Sequence, residues 1–175
     1  MTVEELVKRF RITKTENGKI RFGGTPEAAK YHDEIVSKKA EIIAYLDAQA
    51  EAKRKAYEER KAKIAAIEGL KEIRDAKYDL EEWHREWEKS FDHCGGLGVR
   101  RKPVYDFAAL YDKYPVAHAY LLAEGNSYSH NYEVALIGRK ALEAIIDDPQ
   151  NYEAAIAKME RELSDFADRA RIRLR

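Results

Sequence analysis

Three side chains with metal-binding chemistry lie near one another: His84, His93 and Cys94. Imidazole and thiolate are zinc ligands, but a closed structural site needs four, and no second set of Cys or His follows at finger-like spacing. His84 falls on an apolar stripe, where a hydrogen-bonded core histidine is the commoner outcome, so no metal and no cofactor are expected. The stretch Gly95-Gly96-Leu97-Gly98-Val99-Arg100-Arg101-Lys102 carries different chemistry. Glycine-rich backbone beside cations suits an anion such as phosphate. Yet it lacks a Walker Lys-Ser/Thr, and Gly96-x-Gly98 lacks the third glycine and the preceding strand of a dinucleotide fingerprint. The competing reading is a helix-capping turn with exposed cations. Gly-x-Ser-x-Gly, His-Glu-x-x-His, kinase and P-loop signatures are all absent, so no catalytic residue is assigned and the chain reads as a non-enzyme.

What remains is binding chemistry. Tyrosines gather in the second half of the chain: Tyr105, Tyr111, Tyr114, Tyr120, Tyr128, Tyr132 and Tyr152. Tyrosine combines apolar area with a polar tip and is enriched at interfaces. A helical lobe also needs aromatic filling, so only a subset, Tyr105, Tyr111 and Tyr128, is assigned to a partner surface together with Arg100, Arg101 and Lys102. Arg169, Arg171, Arg173 and Arg175 close the sequence. They complement a helix macrodipole, and Arg171 and Arg173 would also pair with an acidic partner. Tyrosine beside arginine suits single-stranded nucleic acid as well. Acidic residues outnumber basic ones from 104 to 175, so nucleic acid is permitted as a partner but not favoured.

The elements that must carry these residues are mostly helices. The 175 residues include 32 basic and 32 acidic ones, so bulk attraction to nucleic acid or membrane is not expected. Charged residues are 37% of the chain, which suits solvated helices. With Cys94 as the only cysteine no internal disulfide forms, the N-terminal residues lack a signal-peptide pattern, and no apolar run reaches membrane-spanning length, so a cytoplasmic protein is expected. Val3, Leu6, Val7 and Phe10 have helical spacing. Two alternating runs flank Asn17-Gly18, a hairpin signal in which both turn residues take positive φ. Ile12, Ile20 and Phe22 would face the helices. From Thr25-Pro26 to Gly69 no Gly and no further Pro intervenes. One unbroken helix over 26–68 would be roughly 60 Å long and would have to pair with another chain or span between lobes. Val36, Ile43, Ala50, Tyr57 and Ile64 recur every seven residues, a half-filled coiled-coil seam, because Lys39, Lys53 and Arg60 interrupt the companion positions.

Beyond Gly69 the stripe Leu70, Ile73, Lys77, Leu80, His84, Trp87 and Phe91 predicts an amphipathic helix that ends at His93 or Cys94 and folds back on another helix. Short helices follow from Asp106 to Tyr114 and from Pro115 to Glu124. Gly125-Asn126-Ser127 breaks the chain, a helix runs from Asn131 to Asp147, and the last helix restarts at Asp148-Pro149.

Val3-Glu4-Glu5-Leu6, Gly18-Lys19-Ile20-Arg21-Phe22 and Lys39-Ala40-Glu41-Ile42-Ile43-Ala44-Tyr45-Leu46 resemble the TubC-type N-terminal docking domain. The resemblance covers residues 3–46 and implies a helix, hairpin and helix module that self-associates and receives the tail of an upstream protein against its hairpin. Ile20 and Phe22 would then be partner-binding. The remainder looks like the small accessory proteins of phages and mobile elements. The fold class expected is mainly α: a docking-like αββα module over 1–46, a charged helical connector over 47–69 continuous with the preceding helix, and a helical lobe over 70–175. The function expected is non-catalytic binding by a homodimeric adaptor or inhibitor of a larger protein or nucleoprotein complex, for instance a bacterial defence complex such as CRISPR. Tyr57 joins the partner-binding set through the seam. A nucleic-acid-binding regulator and a small enzyme with an unfamiliar site are the alternatives, and no membrane partner is expected.

Overall fold

Thr2 and Glu5 start the first helix reciprocally. The Thr2 hydroxyl accepts from the Glu5 amide, and the Glu5 carboxylate accepts from the Thr2 amide. This capping box opens α1 (Val3–Phe10). The helix stops at Arg11, whose backbone is left-handed (φ 48°, ψ 46°), a conformation that favours glycine. The chain then enters β1 (Thr13–Lys14), which pairs antiparallel with β2 (Ile20–Arg21), Thr13 opposite Arg21 and Lys14 opposite Ile20. Asn17-Gly18 lies at the turn as expected, but only Gly18 takes positive φ (69°). Thr15 donates its amide to the Lys19 carbonyl at 2.8 Å, and Gly18 donates to the Thr15 carbonyl at 2.9 Å. The connection is therefore the three-residue kind that ends in a left-handed glycine, not a two-residue turn.

The computed structural model describes residues 1–22, 29–94 and 99–173. It is mainly helical with this one small hairpin. Two compact units divide it, Met1–Glu59 and Arg60–Arg175.

In the first unit Leu6, Phe10, Ile12, Ile35 and Ile42 form the buried core. Ile12 points inward as its alternation predicts. Helix α2 (His32–Ser37) and helix α3 (Lys39–Ala65) replace the single helix expected over 26–68. The expected start at Thr25-Pro26 lies outside the described residues. The interruption falls at Lys38 (φ −95°, ψ 12°). There the Ser37 hydroxyl donates to the Glu34 carbonyl at 2.8 Å, and the Lys38 ammonium donates to the Met1 carbonyl. The Ser37 bond is of the local side chain-to-backbone kind that competes with the regular ladder, while the Lys38 bond ties this point to the first residue. At the other end α3 stops at Ala65, before Gly69 turns the chain with φ 74°.

The seven-residue series is not carried by one continuous helix within this chain. Val36 sits in α2 on the far side of the Lys38 interruption, and Ile64 packs against the core of the second unit. Between them, residues 50–59 of α3 are exposed without exception.

The second unit contains α4 (Leu70–Cys94), α5 (Phe107–Lys113), α6 (Pro115–Ser127), α7 (Tyr132–Asp147), a 3-10 turn (Pro149–Asn151) and α8 (Tyr152–Arg173). Pro115 occupies the first turn of α6, where its missing N–H costs nothing. Asn131 caps α7 by accepting from the Glu133 and Val134 amides. The expected break at Gly125-Asn126-Ser127 does not occur, and α6 runs on through Ser127. Asn126 donates to the Leu122 carbonyl and Ser127 to the Glu124 carbonyl, so polar side chains serve the helix end in place of solvent. Ala117, Ala119, Tyr120 and Ala123 of α6 meet Ile137, Ala141, Leu142, Ile145 and Ile146 of α7, with Met159 of α8 and Leu70 and Ile73 of α4 closing the core. At the α6–α7 contact a Cβ on Gly138 would lie 2.5 Å from the Ser127 amide nitrogen. The α4 stripe is buried only at its start: Leu70, Ile73 and Ala76 are core, whereas His84 and Trp87 are exposed. Among the described residues no buried apolar side chain lies on that second half, so the expected packing on another helix is not seen there. Among the described residues no helix is long and apolar enough to cross a membrane.

Two substitutions test these local constraints. Replacing Arg11 by Gly relieves a left-handed residue and is expected to raise stability by roughly 0.5–1 kcal/mol in urea denaturation, while Arg11→Ala brings no gain. Gly69→Ala works the other way. Its Cβ would sit 2.0–2.4 Å from ring carbons of Tyr114, at a positive φ. A loss of about 2–4 kcal/mol is expected in the same measurement.

Candidate functional site

Helix α4 turns a charged and aromatic ridge outward over its second half. Asp79, Glu82 and Glu86 recur at steps of three and four, which places their carboxylates along one face. Trp83 follows Glu82 and Trp87 follows Glu86, their rings stacked 6.4 Å apart. The segment 99–106 runs back along this ridge. Arg100 donates to Asp79 at 2.6 Å and to Glu86 at 3.1 Å, with Glu82 at 3.6 Å. Its carbonyl accepts from the Trp83 indole at 2.8 Å. Lys102 stands 5.5 Å from the centre of the Trp83 ring, and the Tyr105 hydroxyl donates to Asp79 at 2.7 Å.

These contacts revise the anion-site reading. A guanidinium already surrounded by three carboxylates does not offer its charge to phosphate. The hydrogen bond from Tyr105, followed by that from Arg100, holds the Asp79 carboxyl below its ordinary range. The Tyr105 phenol is pushed up in return, chiefly by its bond to Asp79. The glycines at 95–98 lie outside the described residues. His84 is not a core histidine: it is exposed and meets the Trp83 ring edge-on at 5.0 Å. The side chains of His93 and Cys94 lie outside what the structure describes. Among the described residues no group of three His, Cys, Asp or Glu side chains could hold a metal ion.

A second feature lies between α4 and α6. An open groove of about 560 Å³ is lined by Arg74, Lys77, Tyr78, Leu121, Glu124 and Tyr128, among others. Arg74 pairs with Glu124 at 2.6 Å and lies 5.4 Å from the Tyr120 ring centre, which fixes the charged wall. Tyr120 is a core residue whose phenol is raised first by burial and then by Glu124. Tyr78 and Tyr128 are 58% and 78% exposed. They are large apolar-bodied side chains held at a groove and left to solvent.

The residues expected to bind a partner are therefore divided. Arg100, Lys102 and Tyr105 come together on α4 about Asp79 and Trp83, and Arg101 beside them is exposed. Tyr111 is half-buried, stacked on His118 at 4.1 Å with Lys77 over its ring, so it is largely committed to packing. Tyr128 is at the α4–α6 groove. Ile20 and Phe22 are half-buried against the first unit's core, and Tyr57 is 65% exposed on α3. Arg171 and Arg173 belong to α8, but their side chains lie outside what the structure describes. Tyr78, Trp83 and Trp87 stand outside the expected partner-binding set, the tryptophans being read as part of the apolar stripe. The signal for the two tryptophans is the regular spacing of Asp79, Glu82 and Glu86 beside them.

Comparison of the chain with protein-family models, with curated proteins and with solved structures finds no match.

The Asp79 contacts make a titration test. A carboxyl whose folded pKa is depressed contributes stability that is present above its unfolded pKa and lost as pH falls through the folded value. Tyr105→Phe removes the largest cause of the depression. In that variant the Asp79 carboxyl resonance, followed by NMR, is expected to titrate closer to the ordinary aspartate range, and the stability that Asp79 loses on acidification to be smaller and to be complete at higher pH. An unchanged titration would refute the assigned bond.

Proposed function

We propose that this protein is a non-catalytic, self-associating interaction module that binds a larger protein as an adaptor or inhibitor. The observation that supports it is the pair Tyr78 and Tyr128, exposed at either side of the α4–α6 groove. Rigid amphipathic side chains beside apolar Leu121 and a fixed Arg74–Glu124 pair are the components of a protein interface: aromatic anchors in the centre and oriented charges at the rim. The docking-domain resemblance of residues 3–46 is in keeping with association, and the resemblance of the rest to mobile-element accessory proteins makes an inhibitor of a bacterial defence complex, such as CRISPR, acting in the cytoplasm, the specific form of this reading. Nucleic acid is the weaker choice of partner, because Arg100 is engaged by Asp79, Glu82 and Glu86.

The test is capture from the native host with a photo-crosslinking residue at position 122, whose Leu is exposed on α6. The otherwise unaltered sequence is expected to trap one defined protein. The Tyr78→Ser/Tyr128→Ser variant, with unchanged helical content, is expected to lose at least about tenfold of that product. Equal trapping by both would sink the proposal.

A further inference from the structure

We infer that the segment a partner places in the α4–α6 groove is an extended, proline-containing one with a single cation, held by Tyr78 and Tyr128 and charge-matched by Glu81. The inference rests on the proposed function and gives its partner a chemistry. Gly125 of α6 lies in the lining of the groove, and a Cβ there would have no neighbour within 4 Å. An approaching chain therefore meets α6 at main-chain level at this point. The phenols beside it are uncommitted. Those of Tyr105, Tyr114, Tyr120 and Tyr152 each donate to a carboxylate. Those of Tyr78 and Tyr128 have no hydrogen-bond partner among the described residues. Arg85 stands 5.9 Å from the centre of the Tyr78 ring.

Hydrogen-bond accounting selects the kind of segment. An added strand needs an open sheet edge. Both walls are helices, and their backbone groups are bonded within each helix. A docked helix presses apolar anchors at i, i+3 or i+4 and i+7 into a hydrophobic groove. Here Leu121 is the aliphatic lining residue, and apart from Gly125 the rest is phenol and charge. A polyproline segment has no internal hydrogen bonds, so its carbonyls are open to the two phenol donors, and its rings suit aromatic faces. Charge completes the match. Arg74 is paired with Glu124 and Asp75 with Lys71, and Lys77 lies over the Tyr111 ring. Among the described residues Glu81 is the lining carboxylate without an ion pair, so the segment's cation belongs at its end of the groove.

The test is a titration of the full chain with three acetylated peptides, followed by NMR of the tyrosine rings and the Gly125 amide. The peptides are octaproline with an N-terminal arginine, octaproline with an N-terminal glutamate, and an alanine-rich helical peptide of equal length that carries the arginine. The first is expected to shift Tyr78, Tyr128 and Gly125 together, with a Kd no weaker than about 1 mM. The glutamate peptide, and Glu81→Gln titrated with the arginine peptide, are expected to bind about two- to fivefold more weakly. Gly125→Leu fills the open space and raises helix propensity, so it is expected to keep its helical content and to bind at least about tenfold more weakly. If it lowers the helical content, Tyr78→Phe/Tyr128→Phe replaces it. That variant keeps both rings and removes both donors, with a loss of about fivefold expected. No shift at about 1 mM of the first peptide, tighter binding of either other peptide, or unchanged binding by the folded groove variant would overturn the inference. Trapping at position 122 is read separately. A trapped partner without peptide binding removes this inference and leaves the proposed function, and peptide binding without a trapped partner does the reverse.

Discussion

Helices α6 and α7 meet as closely as they do because residue 138 has no side chain. The Ser127 amide and the end of Asn126 occupy the volume a Cβ would need. Much of the second unit follows from that contact. It lets the alanines of α6 lie against Ile137, Ala141 and Ile145, and it holds the last turn of α6 in helical form although Gly-Asn-Ser would otherwise favour a turn. Because that turn stays helical, Tyr128 emerges one residue beyond it, level with the groove against α4. An exposed tyrosine is in this way a consequence of a missing methyl group ten residues later.

Electrostatics governs the second half of α4 where apolar burial leaves off. Leu70, Ile73 and Ala76 hold the start of the helix to the core, and beyond Leu80 few apolar contacts remain to be made. The segment 99–106 has no buried residue, so it is held through the Arg100 charge cluster, the Trp83 indole and the Tyr105 phenol. Contacts of this kind are individually modest at a surface. Their value is positional: they aim the backbone toward Asp106, which caps α5 by accepting from the Ala109 amide.

The sequence was most legible where periodicity and capping agreed. The spacing of Val3, Leu6, Val7 and Phe10, the Asn-Gly turn, Pro115 and Asn131 each marked an element that forms. It was least legible where side chains compete with backbone. Ser37 and Lys38 interrupt a helix that contains no Gly or Pro, while Gly125, Asn126 and Ser127 extend one that composition would end. At both places the chain meets a residue distant in sequence, Met1 beside Lys38 and Gly138 beside Ser127. For the candidate site, residue types pointed to the tyrosines and the Arg100 region, but not to which cations were already neutralised. That depends on the acidic ridge of α4 folding beneath them.

The middle of α3 has a different kind of freedom. From residue 50 to residue 59 each side chain is exposed, so within this chain the fold depends there on the helical backbone and not on side-chain burial. For the stability of the helix almost any residue that sustains a helical turn will serve there, and proline or glycine carries the heavy penalty. That decapeptide can accordingly carry a dye or a spectroscopic label without disturbing either hydrophobic cluster.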